Sequence, residues 1–75
     1  MNPYEIGKRL IQLRGDIKRE KVAADLDISV SALSMYESGK RIPRDEIKVS
    51  LARYYGVSVQ SLFFDAEVHE MCTTS

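Results

Sequence analysis

The stretch ISVSALSMYESGKRIPR, residues 28–44, contains the signals that decide the fold of this chain. Ser29 is a favourable helix N-cap, residues 30–38 form a helix-compatible run, and Gly39 is the residue type that commonly ends a helix. Leu33 and Tyr36 are three residues apart, so we expect both to face the core. The outward face of this helix then carries Val30, Ser31, Ser34, Met35 and Ser38. The cationic loop KRIPR follows at residues 40–44.

The residues before this helix predict a second helix that meets it at a steep angle. A helix from about residue 18 to residue 26 presents the small residue Ala23 where two closely crossing helices would touch. Asp27 then occupies a turn position that requires the left-handed conformation, which Asp tolerates better than most residues. Either Asp16 or Lys18 starts this helix, and Lys is a poor cap. The spacing predicts a helix-turn-helix unit.

The rest of the chain also shows helical periodicity. The opening NPYE predicts a first helix that is capped by Asn2 and ended by Gly15, with Ile6, Leu10 and Leu13 on its apolar stripe. A fourth helix is expected over roughly residues 44–55, and a short fifth helix after Ser58. The inward residues expected in these two helices are Ile47, Leu51, Ala52, Tyr55, Val59, Leu62, Phe63 and Phe64. No stretch alternates long enough to predict a strand, so the fold class is all-α.

Length and charge limit the classes of function. The chain has 75 residues and a net charge of zero, but residues 1–64 carry 11 Lys and Arg against 8 Asp and Glu, a net charge of +3. A chain of this size forms one domain with a thin core, so a partner subunit could add stability.

The single cysteine, Cys72, excludes an internal disulfide, and no signal peptide or membrane span is recognisable. We therefore expect a cytoplasmic protein.

Four segments together resemble the Xre-type helix-turn-helix family, which includes the lambda-type phage repressors and the Cro proteins. They are IGKRLIQLR at 6–14, VAADLDIS at 22–29, YESGKRIP at 36–43 and LARYYGVSVQSLF at 51–63. The resemblance implies a five-helix, lambda-repressor-like bundle over residues 1–64 that binds a palindromic operator in double-stranded DNA as a homodimer. The helix after Ser29 would lie in the major groove. The implied function is a sequence-specific transcriptional regulator, most simply a repressor.

The resemblance also assigns roles to individual residues. Val30, Ser31, Ser34 and Met35 match the positions that face base edges. The matches to backbone-binding positions are Arg19, Ser38, Lys40 and Arg41, and the neighbouring cations Lys18 and Arg44 are expected to join them. Arg14 and Glu37 match an ion pair that ties the first helix to the third. No base-facing residue offers the bidentate readout that Arg gives guanine, so part of the sequence preference would depend on DNA shape.

This sequence departs from the family pattern at three places. The connection RGDIKR, residues 14–19, is two residues shorter than the usual spacing between the first two helices, which bears on the Arg14–Glu37 geometry. Asp27 replaces the more common turn glycine. Lys18 replaces the usual Ser or Thr cap. We expect the last two changes to lower stability without altering the fold.

Other interpretations concern the end of the chain. Residues 65–75 form a polar tail that could bind a protein partner, so an antitoxin or adaptor module is the alternative function. A controller protein of a restriction-modification system would share the DNA-binding mechanism. His69 and Cys72 are too few for a structural zinc site and lie in the tail, so we expect no metal, no cofactor and no enzyme activity. For Phe63 and Phe64 we expect one ring in the core and the other at a dimer contact.

Overall fold

The computed structural model describes residues 2–64, and in this part of the chain every regular element is helical. Four α-helices are followed by one π-helical turn, which we number α5: α1 Pro3–Arg14, α2 Arg19–Leu26, α3 Val30–Ser38, α4 Asp45–Tyr55 and α5 Gln60–Phe64. The predicted all-α fold is confirmed. Two helices begin one residue later than expected, because Lys18 and Arg44 are extended cap residues rather than helical ones.

The N-terminal caps explain where the helices begin. The Asn2 side chain accepts hydrogen bonds from the backbone N–H groups of Tyr4 and Glu5, at 3.0 and 3.3 Å. At the start of α3, Ser29 Oγ accepts from the N–H of Ala32 at 3.0 Å. Neither Lys18 nor Arg44 makes a side-chain cap hydrogen bond. The first turns of α2 and α4 therefore lack the side-chain acceptor that Asn2 and Ser29 provide.

The turns between helices use residues that can adopt positive φ. Asp27 has φ 58° and ψ 44°, in the left-handed region that the sequence predicted for it. Gly39, expected to end α3, and Gly56 after α4 lie in the same region. Gly15 ends α1 as expected, but its φ of 55° is combined with a ψ of −125°, outside the left-handed helical region.

The core is built where the helices cross. Its buried residues are Ile6, Leu10, Val22, Ala23, Leu33, Tyr36, Leu51, Ala52, Leu62 and Phe63. Several residues predicted to face inward are only partly buried and pack around this cluster, namely Leu13, Ile47, Tyr55, Val59 and Phe64. Helix α1 crosses α3 at Gly7, where a Cβ atom would overlap the backbone carbonyl of Glu37. The crossing is therefore closer than any side chain at Gly7 would permit.

Of the two adjacent phenylalanines, Phe63 is the one whose ring lies in the core, as expected for one ring of the pair. Phe63 is 2% exposed and lies within the core of a single chain, so its ring is not available to a second copy. Phe64 is half-buried at the edge of the same cluster. Only Phe64 of this pair can contribute a ring to an interface. The expected roles of residues 65–75, including His69 and Cys72, lie outside the described residues.

Within residues 2–64, no helix has both the length and the apolar character needed to cross a bilayer.

Candidate nucleic-acid interface

The outward face of α3 is the most distinctive surface of the described residues. Val30 and Met35 are 39% and 42% exposed, so two apolar side chains of α3 face solvent. Ser31 is exposed beside them, and Ser34 is half-buried. One shallow depression is lined by these four residues together with Ser38 and Lys40. Hydroxyl groups, a thioether and a basic amine thus share one solvent-facing surface.

The helix-turn-helix geometry holds this surface in place. The backbone N–H of Ile28 donates to the carbonyl of Ala23 at 3.0 Å, which closes the turn after α2. Ser29 caps α3 directly afterwards. On the inner side of α3, Leu33 is fully buried and Tyr36 is 7% exposed. The inner face of α3 is therefore fixed by packing, while Val30, Ser31 and Met35 on its outer face stay exposed among the described residues.

Cationic side chains lie at both ends of the helix-turn-helix. Lys18 is exposed before α2, and Lys40, Arg41 and Arg44 are exposed after α3. Among residues 2–64, the ion pairs involve other cations, and none of these four has a carboxylate within 4 Å. Their charge is thus not neutralised by the described part of the chain. They can supply the phosphate contacts that hold a protein in register on DNA.

A cluster of three charges around the buried Glu37 carboxylate joins α1, α2 and α3. Arg14 donates from Nε to Glu37 Oε2 at 2.7 Å and from Nη2 to Glu37 Oε1 at 3.2 Å. Arg19 donates from Nε to Glu37 Oε1 at 2.8 Å. The Glu37 side chain is 1% exposed, so its charge depends on these partners. The hydrogen bond to Glu37 raises the pKa of Arg14 above its ordinary value, although burial opposes the shift.

The structure thus brings together the two residues that the resemblance paired, Arg14 and Glu37, despite the shortened connection. Arg14 also donates from Nη1 to the carbonyl of Ile17 at 2.8 Å, which ties down that connection directly. Arg19, expected at the DNA backbone, additionally bonds Glu37 through its Nε atom. Sequence reasoning missed this third member because the resemblance assigned Arg19 only to the DNA backbone.

Two tyrosines on α4 lie in different environments. The Tyr54 hydroxyl donates to Asp25 Oδ2 at 2.6 Å, and this bond lowers the pKa of Asp25 and raises that of Tyr54. The Tyr55 hydroxyl is buried and has no hydrogen-bond partner among residues 2–64. Burial, with the nearby Glu37 charge, raises the pKa of Tyr55 to about 12. Its neutral hydroxyl borders the charge cluster without bonding to it.

Three further positions were missed or undervalued from the sequence. Gly7 permits the close α1–α3 crossing. Arg9 donates from Nη1 to the carbonyl of Leu62 at 2.8 Å and so joins α1 to α5. Lys48 is 9% exposed, and its Nζ lies 5.7 Å from the Phe63 ring centroid and 5.5 Å from that of Phe64. Only the tertiary structure reveals these contacts, because each joins residues distant in sequence.

Comparison with known proteins gives two similarities. The profile of the helix-turn-helix family matches residues 8–62. The chain is also similar to the cryptic phage CTXphi transcriptional repressor RstR of Vibrio cholerae, with 30% identity over 61 residues. That alignment covers 81% of this chain and 55% of the relative, so the chain spans about half the length of the curated relative it matches. No solved structure matches the chain significantly.

Proposed function

Because this chain belongs to the Xre-type helix-turn-helix family, we propose that it is a DNA-binding transcriptional regulator that acts as a repressor. In this proposal α3 enters the major groove, and two copies bind the two halves of an operator. The observation that carries the proposal is the outward face of α3, which faces solvent among residues 2–64 and lies between cations that have no acidic partner in that part of the chain. The similarity to a phage repressor supports the regulatory role.

The chemistry of the α3 face fits base edges in the major groove. Ser31 and Ser34 can donate hydrogen bonds to base acceptors or accept from base amines. Val30 and Met35 can pack against thymine methyl groups, which would remove their exposed apolar surface from water. None of these side chains selects one base by itself. Sequence preference therefore depends on the set of contacts and on DNA shape.

The cations would fix the position of α3 through the DNA backbone. In the proposed complex Lys18 and Arg19 contact phosphates near the start of α2. Lys40, Arg41 and Arg44 contact phosphates beyond the end of α3, together with the hydroxyl of Ser38. The Ser38 hydroxyl donates to the carbonyl of Met35 at 3.2 Å, and its oxygen retains the capacity to accept. Contacts at both ends of α3 would define its angle in the groove.

A second copy would complete the complex. Two-fold related helix-turn-helix units bind half-sites about one helical turn, or ~34 Å, apart. The half-buried ring of Phe64, beside the Lys48 ammonium, is the candidate contact between copies. A small core gives this arrangement a physical reason, because covering Phe64 would add apolar burial to a domain that has little.

Replacing Arg41 by Ala tests the backbone contacts directly. We expect weaker binding to all duplexes regardless of sequence, and a plot of log affinity against log salt concentration that is less steep by about one unit, because one fewer counterion is released. The measurement is fluorescence anisotropy of labelled duplex across a salt series.

Arg53→Ala is the matched control for this experiment. Arg53 is also an exposed arginine, but it lies in the last turn of α4, at the opposite end of that helix from Arg44. We expect its replacement to leave the slope unchanged. An unaltered slope in Arg41→Ala, or an equal reduction in both variants, would contradict the proposed orientation on DNA.

A further inference from the structure

We infer that Glu37 is a positioning residue for DNA binding, and that it aims the Arg19 guanidinium at a backbone phosphate. This inference rests on the proposed function and adds a role for a residue that cannot itself reach DNA, since the Glu37 side chain is 1% exposed. The contact in question is the 2.8 Å bond from Arg19 Nε to Glu37 Oε1.

The charges in the cluster leave one cation in excess. Arg14 is mostly buried, with a side chain that is 15% exposed, and it bonds both oxygens of Glu37. One buried carboxylate is therefore already balanced by one buried guanidinium. Arg19, with a side chain that is 45% exposed, adds a second positive charge to the same carboxylate. The cluster carries a net positive charge, and this charge is located on its solvent-facing member.

The bonding pattern of Arg19 leaves its outer nitrogens available. Arginine presents five donors in a rigid planar fork, so fixing Nε fixes the plane of the whole group. Within residues 2–64, the Nε atom of Arg19 bonds Glu37 and the two Nη atoms make no hydrogen bond. A planar group held at one edge, with two donors at the other, matches the geometry needed to bind a phosphate in bidentate form.

The location of Arg19 agrees with this role. It is the first residue of α2, after a Lys18 cap that makes no side-chain hydrogen bond. The backbone N–H groups of this first turn and the nearby guanidinium therefore favour an anion in the same region. Glu37 lies in the last turn of α3 and bonds Arg19. The proposed phosphate contact of Arg19 is therefore coupled to the position of α3.

The test is a double-mutant cycle of Glu37→Gln and Arg19→Met, measured by anisotropy on a labelled random-sequence duplex at low salt. Circular dichroism and thermal unfolding first establish the folded fraction of each variant. Glu37→Gln should reduce affinity about tenfold when Arg19 is present, because the fork loses its orientation. In the Arg19→Met background the same change should matter less than about twofold.

The two residues would be independent if Glu37→Gln reduced affinity equally in both backgrounds, and this result would overturn the inference. Increased affinity in Glu37→Gln would also overturn it, since it would mean that Glu37 competes with phosphate for Arg19. If the unaltered chain binds no duplex at low salt, the proposed function fails first and the inference fails with it. Binding by the unaltered chain with an additive cycle refutes the inference alone.

A second pair of variants keeps the test decisive if Glu37→Gln does not fold. Arg19→Lys retains the charge but lacks a planar fork that can hold Glu37 and a phosphate at opposite edges. We expect about tenfold weaker binding with an unchanged salt slope. Arg41→Lys, at an exposed arginine without an acidic partner among residues 2–64, is the control and should lose less than about twofold. Equal losses at the two positions would overturn the inference.

Discussion

At the scale of single residues, Gly7 shows how a sterically required glycine can outweigh local preference. Gly7 lies inside α1, where Ala would ordinarily be better by about 1 kcal/mol. Here a Cβ atom would lie 2.8 Å from the carbonyl carbon of Glu37 and 3.0 Å from the Tyr36 oxygen. Neither atom can move without shifting α3. Steric overlap at position 7 therefore outweighs the better helix propensity of Ala.

We expect Gly7→Ala to lower the free energy of unfolding by about 2 kcal/mol, within the range for overpacking a tight contact. Chemical denaturation measures this value. Gly56→Ala provides the comparison, since Gly56 has φ 71° but nothing within 4 Å of a Cβ atom. It should lose only about 1 kcal/mol, from the left-handed conformation. A Gly7→Ala variant as stable as the unaltered chain would show that α1 and α3 are not in this contact.

The raised pKa of the buried Tyr55 hydroxyl should make the free energy of unfolding depend on pH in the alkaline range. Burial raises its pKa from 10.0 to about 12, so the folded chain retains the phenolic proton at pH values where the unfolded chain has released it. The stability that depends on the protonated Tyr55 hydroxyl is fully present below pH 10 and is lost as the pH rises from 10 to 12. Tyr55→Phe should remove this part of the decline, and the difference between the two unfolding profiles isolates it from other groups.

Tyr55→Phe also removes a buried hydroxyl that has no hydrogen-bond partner in the described part of the chain. Its loss should therefore not reduce stability at neutral pH. Identical alkaline profiles for the two proteins would mean that the Tyr55 hydroxyl is solvated in the folded chain.

At the scale of helices, α2 and α3 differ in how they begin. Ser29 caps α3 with a 3.0 Å bond to the Ala32 N–H, whereas Lys18 offers α2 no such bond. Ser29→Ala should lower the free energy of unfolding by about 1 kcal/mol. Lys18→Ser should raise it by about 0.5 to 1 kcal/mol and also weaken DNA binding, because a proposed phosphate contact is lost.

In the Lys18→Ser variant, the free energy of unfolding measured by chemical denaturation should therefore rise, while the DNA affinity measured by anisotropy should fall. Such a result would show that the poor cap at Lys18 serves binding at a cost in stability. If the free energy of unfolding fell and the affinity for DNA stayed unchanged, Lys18 would instead stabilise α2.

Periodicity and caps were sufficient to predict the helices. The positions of Leu33, Gly39 and Asp27 are each determined by local rules, so their predictions are confirmed. The contact of Arg19 with Glu37 was not predicted, because local rules do not show which side chains meet between helices. The π-helical form of α5 was also missed, because its apolar residues fit an ordinary helix equally well.

For the molecule as a whole, the net charge of zero conceals a separation of charges. Several acidic groups of the described residues are already engaged within the chain: Asp25 by Lys21 and Tyr54, Glu37 by two arginines, and Asp45 by Lys48. The cations at the ends of the helix-turn-helix have no acidic partner among residues 2–64. Local charge, rather than the total, therefore makes a DNA partner physically reasonable.

The most direct test of the α3 surface is selection of duplexes from a random library, performed with the unaltered chain and with Ser34→Ala and Met35→Ala variants. The unaltered chain should enrich an inverted repeat whose half-sites are about one helical turn apart. The variants should enrich repeats of the same spacing with altered bases. Failure of the unaltered chain to enrich any sequence, or recovery of one identical operator by all three proteins, would contradict the proposal that α3 reads DNA.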